Sequence, residues 1–384
     1  MSIENLPTEL LYMILSRLPP SDRLSVRSLS RELRAAIPLA ECLKGENMQG
    51  RFQKLCADGL VEALMFLQGQ GIFESADARA KNCAALRRAC EYGRLEVVRF
   101  LREEFGLGAE DAREENNYAL RWACRNGHLE VVRCLMEEFG LGAEDARAED
   151  NLALGWSCAQ GHLQVALYLR DAFGLGAEDT RGNGHYALRQ ACAHGRLEII
   201  RCLKEEFGLG AEDARTQDNF ALRSACAKGR LKVVRCLRDT FGLGAEDFRA
   251  ADNDALRQAC GNGRLEVVRC LKEEFGLGAE DARANINWAL HCACEKGHLE
   301  VVRCLKESFG LGPEDARADN NFALRQACGD GRLKVVRFLK EEFGLGAEDA
   351  RANDNEALRR ARRKDRLEVV RCLRESFGLE ARNC

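Results

Sequence analysis

The sequence predicts an all-α chain built as a helical-repeat solenoid, and three observations carry that prediction. The pair Ala-Leu recurs at 85, 119, 153, 187, 221, 255, 289, 323 and 357, a step of 34 residues every time. Glycine is plentiful (35) and proline scarce (5), the balance of helices punctuated by tight turns rather than of a proline-rich disordered chain. Apolar residues, 46% of the chain, fall at helical spacing inside each unit. A fixed period of this size is the signature of stacked supersecondary units.

One unit justifies the elements in order. From Tyr118 it reads YALRWACRNGHLEVVRCLMEEFGLGAEDARAEDN. Leu120, Ala123 and Cys124 share one face of a first helix, which Gly127 breaks. Leu129, Val132, Leu135 and Phe139 keep helical spacing through a second. Gly140 fits the left-handed position after that helix, and Leu141 supplies the apolar contact that often follows. Ala-Glu-Asp-Ala-Arg has no β-branched residue, its acids come first and its arginine last, which suits a short helical turn. Asp218-Asn219 or Asp252-Asn253 are expected to cap the first helix that follows. Extending the register backwards, Leu55-Cys56, Gly59 and Asp77-Ala78-Arg79 match the pattern. The array therefore starts near Phe52 and holds about ten helix pairs. In the last unit Arg362 replaces a small residue, as a polar outer cap requires.

Several function classes drop out. Acids exceed bases by three (61 against 58), with no basic excess for a nucleic-acid partner. MSIENLPTELL lacks the pattern of a signal peptide, and no stretch approaches the ~18–20 apolar residues of a membrane span. Cytoplasmic residence and no membrane partner are expected. The run Arg359-Arg360-x-Arg362-Arg363-Lys364 reads either as a nuclear localisation signal or as the solvated cap.

The 19 cysteines are then reduced thiols. Nine, from Cys56 to Cys328, occupy the second small position of the first helix, and six occupy Arg-Cys-Leu of the second. Stacked helices lie about 8–10 Å apart, beyond disulfide reach, so these read as small buried hydrophobes. His291, Cys292, Cys294 and His298 form the densest metal-like cluster, but no second Cys-x-x-Cys half exists, and no metal or cofactor is expected. The recurring Gly-Leu-Gly follows no strand and precedes acids, unlike a nucleotide loop. His128, His162 and His298 interchange with Arg94, Arg196 and Arg230, which favours a structural role. No catalytic residue is assigned and no enzyme is expected.

Variation between units points to function. The residue before Ala-Leu and the residue before Ala-Cys change freely, and lie four apart on one helix face. They include all three tryptophans, Trp122, Trp156 and Trp288, with Tyr118, Tyr186, Phe220 and Phe322. Aromatic side chains anchor interfaces, so these are the candidate target-binding residues, with Arg125 and Asn126, and with Gln160, His194 and Lys228 beside them. The competing reading is that the rings pack between repeats.

Residues 1–44 stand outside the register. Leu10, Leu11, Ile14, Leu15 and Leu18 share a helical face that Thr8 can cap and Pro19-Pro20 stop. Ser21-Asp22 and Ser30 can start two more short helices. So small a module cannot bury a large core, and a partner or the array should cover it.

ALRxACxxGHLEVVRCL resembles the ankyrin pattern TPLHxAAxxGHxEVVxxLL. Three departures stand out. The Thr-Pro step is missing, the unit is one residue longer than usual, and FGLGAEDARA reads as helical where a β-hairpin finger is expected. Tetratricopeptide repeats share the period, but their helices are longer and end in proline, and only Pro313 lies in this array. LPTELLYMILSRLPPSDRLSVRSLSRELRAAI resembles an F-box in its Leu6-Pro7-x-Glu-Leu-Leu opening, its Ile14-Leu15-Ser16-x-Leu18 run, Asp22 and Ser30-Arg31. Leu33 stands where a tryptophan is common. The two resemblances imply a short three-helix F-box-like module at 1–44, a linker at 45–51 and an ankyrin-type array at 52–384. They imply docking on a Skp1-like adaptor of a cullin ubiquitin ligase through Leu6, Pro7, Ile14, Leu15, Leu18 and Leu24. The repeats would select an unknown target protein, and the chain would be a monomer outside its complex. The alternative is an ankyrin scaffold whose N-terminal helices are only a cap.

Overall fold

A computed structural model describes residues 48–69 and 73–379 of the chain. The F-box-like segment, with Leu6, Pro7, Ile14, Leu15, Leu18 and Leu24, lies outside the described residues. The chain divides into two compact units, Met1–Asn183 and Gly184–Cys384. Twenty helices and no strand occur among the described residues.

The first unit holds α1 (Met48–Asp58), α2 (Val61–Gly69), α3 (Ser75–Glu91), α4 (Leu95–Phe105), α5 (Ala109–Asn126), α6 (Leu129–Glu137), α7 (Ala143–Gln160) and α8 (Leu163–Phe173). Helix α9 (Ala177–His194) begins in the first unit and ends in the second. The second unit continues with α10 (Leu197–Glu205), α11 (Ala211–Lys228), α12 (Leu231–Phe241), α13 (Ala245–Gly261), α14 (Leu265–Glu273) and α15 (Ala279–Lys296). It closes with α16 (Leu299–Glu307), α17 (Pro313–Gly329), α18 (Leu333–Glu342), α19 (Ala347–Arg363) and α20 (Leu367–Glu375). Like packs on like. In the first unit α5 lies between α3 and α7, and α6 between α4 and α8; in the second, α13 lies between α11 and α15, and α14 between α12 and α16.

The periodic apolar residues form the layer between successive pairs. Leu120, Ala123, Cys124, Val132 and Leu135 are each fully buried or nearly so, and burying one leucine contributes roughly 1.5–3 kcal/mol. The cysteines of both repeat positions are buried thiols that form no disulfide. Burial pushes the Cys124 thiol up, and that of Cys270 to about 11. Gly127 (φ 77°) and Gly140 (φ 78°) take the left-handed conformation, and the Leu141 amide closes on the Leu135 carbonyl at 3.2 Å. That is the capping pattern expected after α6.

The join between one unit and the next differs from the sequence expectation. Asp218 (φ 53°) and Asn219 (φ 58°) are left-handed residues, not a helix cap. In α5, α7, α11, α13, α15, α17 and α19 the turn that opens the helix runs into one extended residue and then three left-handed ones, as at Glu114 followed by Glu115, Asn116 and Asn117. The helix bearing Ala-Leu then resumes. Left-handed geometry costs an ordinary L-residue about 1–2 kcal/mol, and asparagine tolerates it best among non-glycine residues. Asparagine accordingly fills the third place at Asn117, Asn151, Asn219, Asn253, Asn287, Asn321 and Asn355. Two contacts hold the turn. Asn219 Nδ2 donates to the Asp247 carbonyl at 3.1 Å. The arginine of Ala-Leu-Arg reaches back to the first left-handed carbonyl, as Arg121 does to Glu115 at 2.8 Å and Arg325 to Asp319 at 2.8 Å.

Two ladders tie neighbouring pairs together. The aspartate of each Ala-Glu-Asp turn accepts the preceding glycine amide and the arginine of the previous turn: Asp281 takes Gly278 N at 2.8 Å and Arg249 Nε at 2.8 Å. In the second unit His185 Nε2 also lies 3.0 Å from Asp213 Oδ1. The other ladder explains the exchange of His for Arg. Both side chains offer an N–H to a carbonyl near the end of the preceding first helix. His128 Nε2 meets Glu91 O at 3.1 Å, and Arg264 Nε meets Ala227 O at 3.1 Å. In the last described pair Arg362 is half-buried, Lys364 pairs with Asp330 at 2.7 Å, and Leu367 is 74% exposed.

Candidate protein-interaction surface

The variable positions of the first helices gather into ring-and-guanidinium clusters, one in the first unit and two in the second. In the first unit the left-handed turn at 115–117 sets Tyr118 at the start of the helix that carries Trp122 one turn later. Their rings stack at 5.3 Å, and Trp122 meets Trp156 of α7 edge-on at 5.8 Å. Arginines cover the faces: Arg87 lies 5.0 Å from the Tyr118 centroid, Arg121 5.6 Å from that of Trp156, and Arg125 4.3 Å from that of Trp122. All these side chains are half-buried. Asn126, also predicted, is exposed and donates to the Glu91 carbonyl at 2.7 Å.

In the second unit Trp288 and Phe322 stack at 5.9 Å, and His291 packs against Phe322 at 4.8 Å. Burial lowers the His291 pKa to about 4. Phe220 lies between Arg189 (5.0 Å) and Arg223 (5.7 Å). Tyr186 is half-buried on α9, and no ring contact joins it to Phe220 among the described residues. Trp288 and Phe220 are 38% and 37% exposed, so the rings both pack against neighbours and keep a face in water.

The sequence reading missed Arg87, Arg121, Arg189, Arg223 and Arg325, and weighed His291 only as a metal ligand. Because Ala-Leu-Arg recurs, its arginine looked like architecture. The signal lay 31 residues on, where the facing residue of the next unit is aromatic in some repeats and acidic in others. In the second unit that residue is acidic twice: Arg223 pairs with Asp254 at 2.8 Å, and Arg325 pairs with Glu356.

The four residues of the metal-like cluster go to different surroundings. His298 bonds the Gly261 carbonyl at 3.1 Å, His291 joins the rings, Cys294 is fully buried and Cys292 half-exposed beside Gly261. Among the described residues no group of three His, Cys, Asp or Glu side chains is placed to hold a metal ion.

Comparison with protein families adds three matches. Residues 3–41 match the F-box domain, 86–179 match a run of three ankyrin-repeat copies, and 285–313 match a single ankyrin repeat. No curated protein matches the chain. Both modules are typically non-catalytic: F-box domains generally bind Skp1 and ankyrin repeats bind target proteins. Trp122 and Trp156 thus lie within the run of ankyrin-repeat copies and Trp288 within the single-repeat match, in a chain that carries an F-box domain match ahead of ankyrin-repeat matches.

Proposed function

We propose that this protein is a non-catalytic substrate receptor of a Skp1–cullin–F-box ubiquitin ligase. The observation that carries the reading is the order of modules, an F-box match at 3–41 ahead of stacked ankyrin units. The F-box would dock on the adaptor through Leu6, Pro7, Ile14, Leu15, Leu18 and Leu24. The aromatic clusters would hold the target, and the mechanism is then proximity: tethering raises the local concentration of target at the ligase. The protein would act as a cytoplasmic monomer outside this complex, with neither nucleic acid nor membrane as partner.

Co-purification with a Skp1-type adaptor tests the reading. The full chain should retain the adaptor, and a chain lacking residues 1–40 should not. Equal retention by both, or by neither, would leave an ankyrin scaffold without a ligase role. Trp122→Ala and Trp156→Ala should each weaken target capture while the helical circular dichroism stays intact.

A further inference from the structure

We propose that the first-unit cluster takes an acidic peptide segment of its target, with a carboxylate of the segment on the arginines around Trp122. The inference rests on the reading of this cluster as the target-binding surface. It comes from a difference between equivalent positions. In the second unit Arg223 is neutralised by Asp254 at 2.8 Å, and Arg325 by Glu356. Each acid stands just before Ala-Leu, 31 residues after its arginine. In the first unit the residues 31 positions after Arg87 and Arg121 are Tyr118 and Leu152, and neither carries a charge.

Among the described residues no carboxylate pairs with Arg87, Arg121 or Arg125. The nearby Glu91 is already taken by Arg88 at 2.9 Å. Three half-buried guanidiniums therefore share one patch, each lying over a ring. Nη2 of Arg87 and of Arg121 already serves the Lys81 and Glu115 carbonyls, and each guanidinium has further N–H donors for an acceptor. A carboxylate there would make charge-assisted hydrogen bonds in a partly dehydrated setting, where they are strongest. The indole of Trp156 beside it suits an apolar or aromatic neighbour in the same segment. The turn side of the patch carries exposed carboxylates at Glu114, Glu115 and Glu149, which repel further negative charge, so the segment is one that brings a single carboxylate to the arginines rather than a run of acids. A nucleic acid also offers anions and rings, but that acidic edge and the net charge of −3 oppose its continuous run of phosphates more strongly than a single carboxylate.

The test is to pan a random-peptide display library on the full chain. Enriched peptides should carry Asp or Glu next to an aromatic or aliphatic residue. For a synthetic peptide of that consensus, followed by tryptophan fluorescence, Glu→Gln and Asp→Asn exchange should weaken binding about tenfold or more, as should Arg125→Glu. Circular dichroism checks the fold of each variant, and Arg125→Gln is the milder substitute. Enrichment of neutral or basic peptides, no enrichment, or preference for a single-stranded oligonucleotide would overturn the proposal. If Trp122→Ala abolishes peptide binding while Arg125→Glu and Arg125→Gln do not change it, the cluster remains the binding surface and only its acidic preference is lost. If none of the three changes binding, the cluster is not the binding surface either.

Discussion

Arg113 of one turn grips Asp145 of the next through two hydrogen bonds, Nε to Oδ1 at 2.9 Å and Nη2 to Oδ2 at 3.1 Å. The same carboxylate caps its own helix by accepting Gly142 N–H at 2.8 Å. Burial alone would raise its pKa, but the Arg113 and Gly142 bonds outweigh burial and hold it below the usual carboxylate range. Asp247, Asp281 and Asp315 are lowered for the same reasons. A folded pKa below the unfolded value of about 3.9 gives stability that is present above that pH and lost as pH falls through the folded pKa. Urea midpoints should therefore drop steeply below about pH 4. Asp145→Asn should lose about 1 kcal/mol at pH 7 through the weakened cap and show a shallower acid limb. A midpoint that stays level down to pH 2.5 would refute this account.

His291 moves stability in a higher window. Its ring is 2% exposed, packed against Phe322, and its Nε2 has no hydrogen-bond partner. Burial lowers its pKa to about 4. Above pH 6.5 both folded and unfolded histidine are neutral; below it only the unfolded chain takes up a proton. Stability therefore falls as pH drops from about 6.5 to 4, by on the order of 3 kcal/mol at most. His291→Leu should make that segment of the pH profile shallower, the remaining slope coming from His128, His194 and His298, whose pKa values burial also lowers, and leave the aspartate limb below pH 4 in place. An unchanged slope between pH 6.5 and 4 would show that the ring is protonated in the folded chain.

These two sites also show where reading the sequence stopped. The stacked pairs were legible because Leu120, Cys124 and Val132 repeat a buried face at helical spacing, and spacing is local information. The exchange of His128 for Arg94 was legible as structural, though not its cause, because the carbonyl they serve belongs to the preceding unit. The left-handed turn at 217–219 was not legible. A short run of Asn and Asp reads equally well as a helix cap, and only the neighbouring unit, through contacts such as Asn219 to Asp247, selects the other conformation. Arg121 escaped for the opposite reason: its identity is nearly constant, while its surroundings change with the residue that faces it.

Gly93 is a stricter requirement than Gly106, although both are left-handed (φ 68° and 63°). A Cβ on Gly93 would lie 2.5 Å from His128 Nδ1, the ring whose other nitrogen meets Glu91 O, whereas a Cβ on Gly106 meets nothing within 4 Å. Gly106→Ala should cost only the backbone penalty, about 1–2 kcal/mol. Gly93→Ala should cost clearly more, because the ring must leave its place. Adding His128→Ala should recover part of the loss, a coupling that a double-mutant cycle by urea denaturation measures. Equal costs for the two alanines would mean that the ring contact carries no energy.

Ile286 breaks the pattern of the left-handed turn. It sits at φ 57° with 64% of its surface exposed, where other repeats place Asn116, Asp150, Asp218, Asp252 or Asn320. A β-branched side chain crowds its own backbone in this region, while asparagine is enriched there. The isoleucine gains no compensating burial. Ile286→Asn should therefore stabilise the chain by about 1 kcal/mol, the larger share from relief of left-handed strain. Ile286→Gly should gain less, because the unfolded chain also gains freedom. Thermal and urea denaturation of the three proteins rank them, with Asn above Gly above Ile as the expected order. Loss of stability in Ile286→Asn would mean that the exposed isoleucine makes a contact its surface position does not reveal.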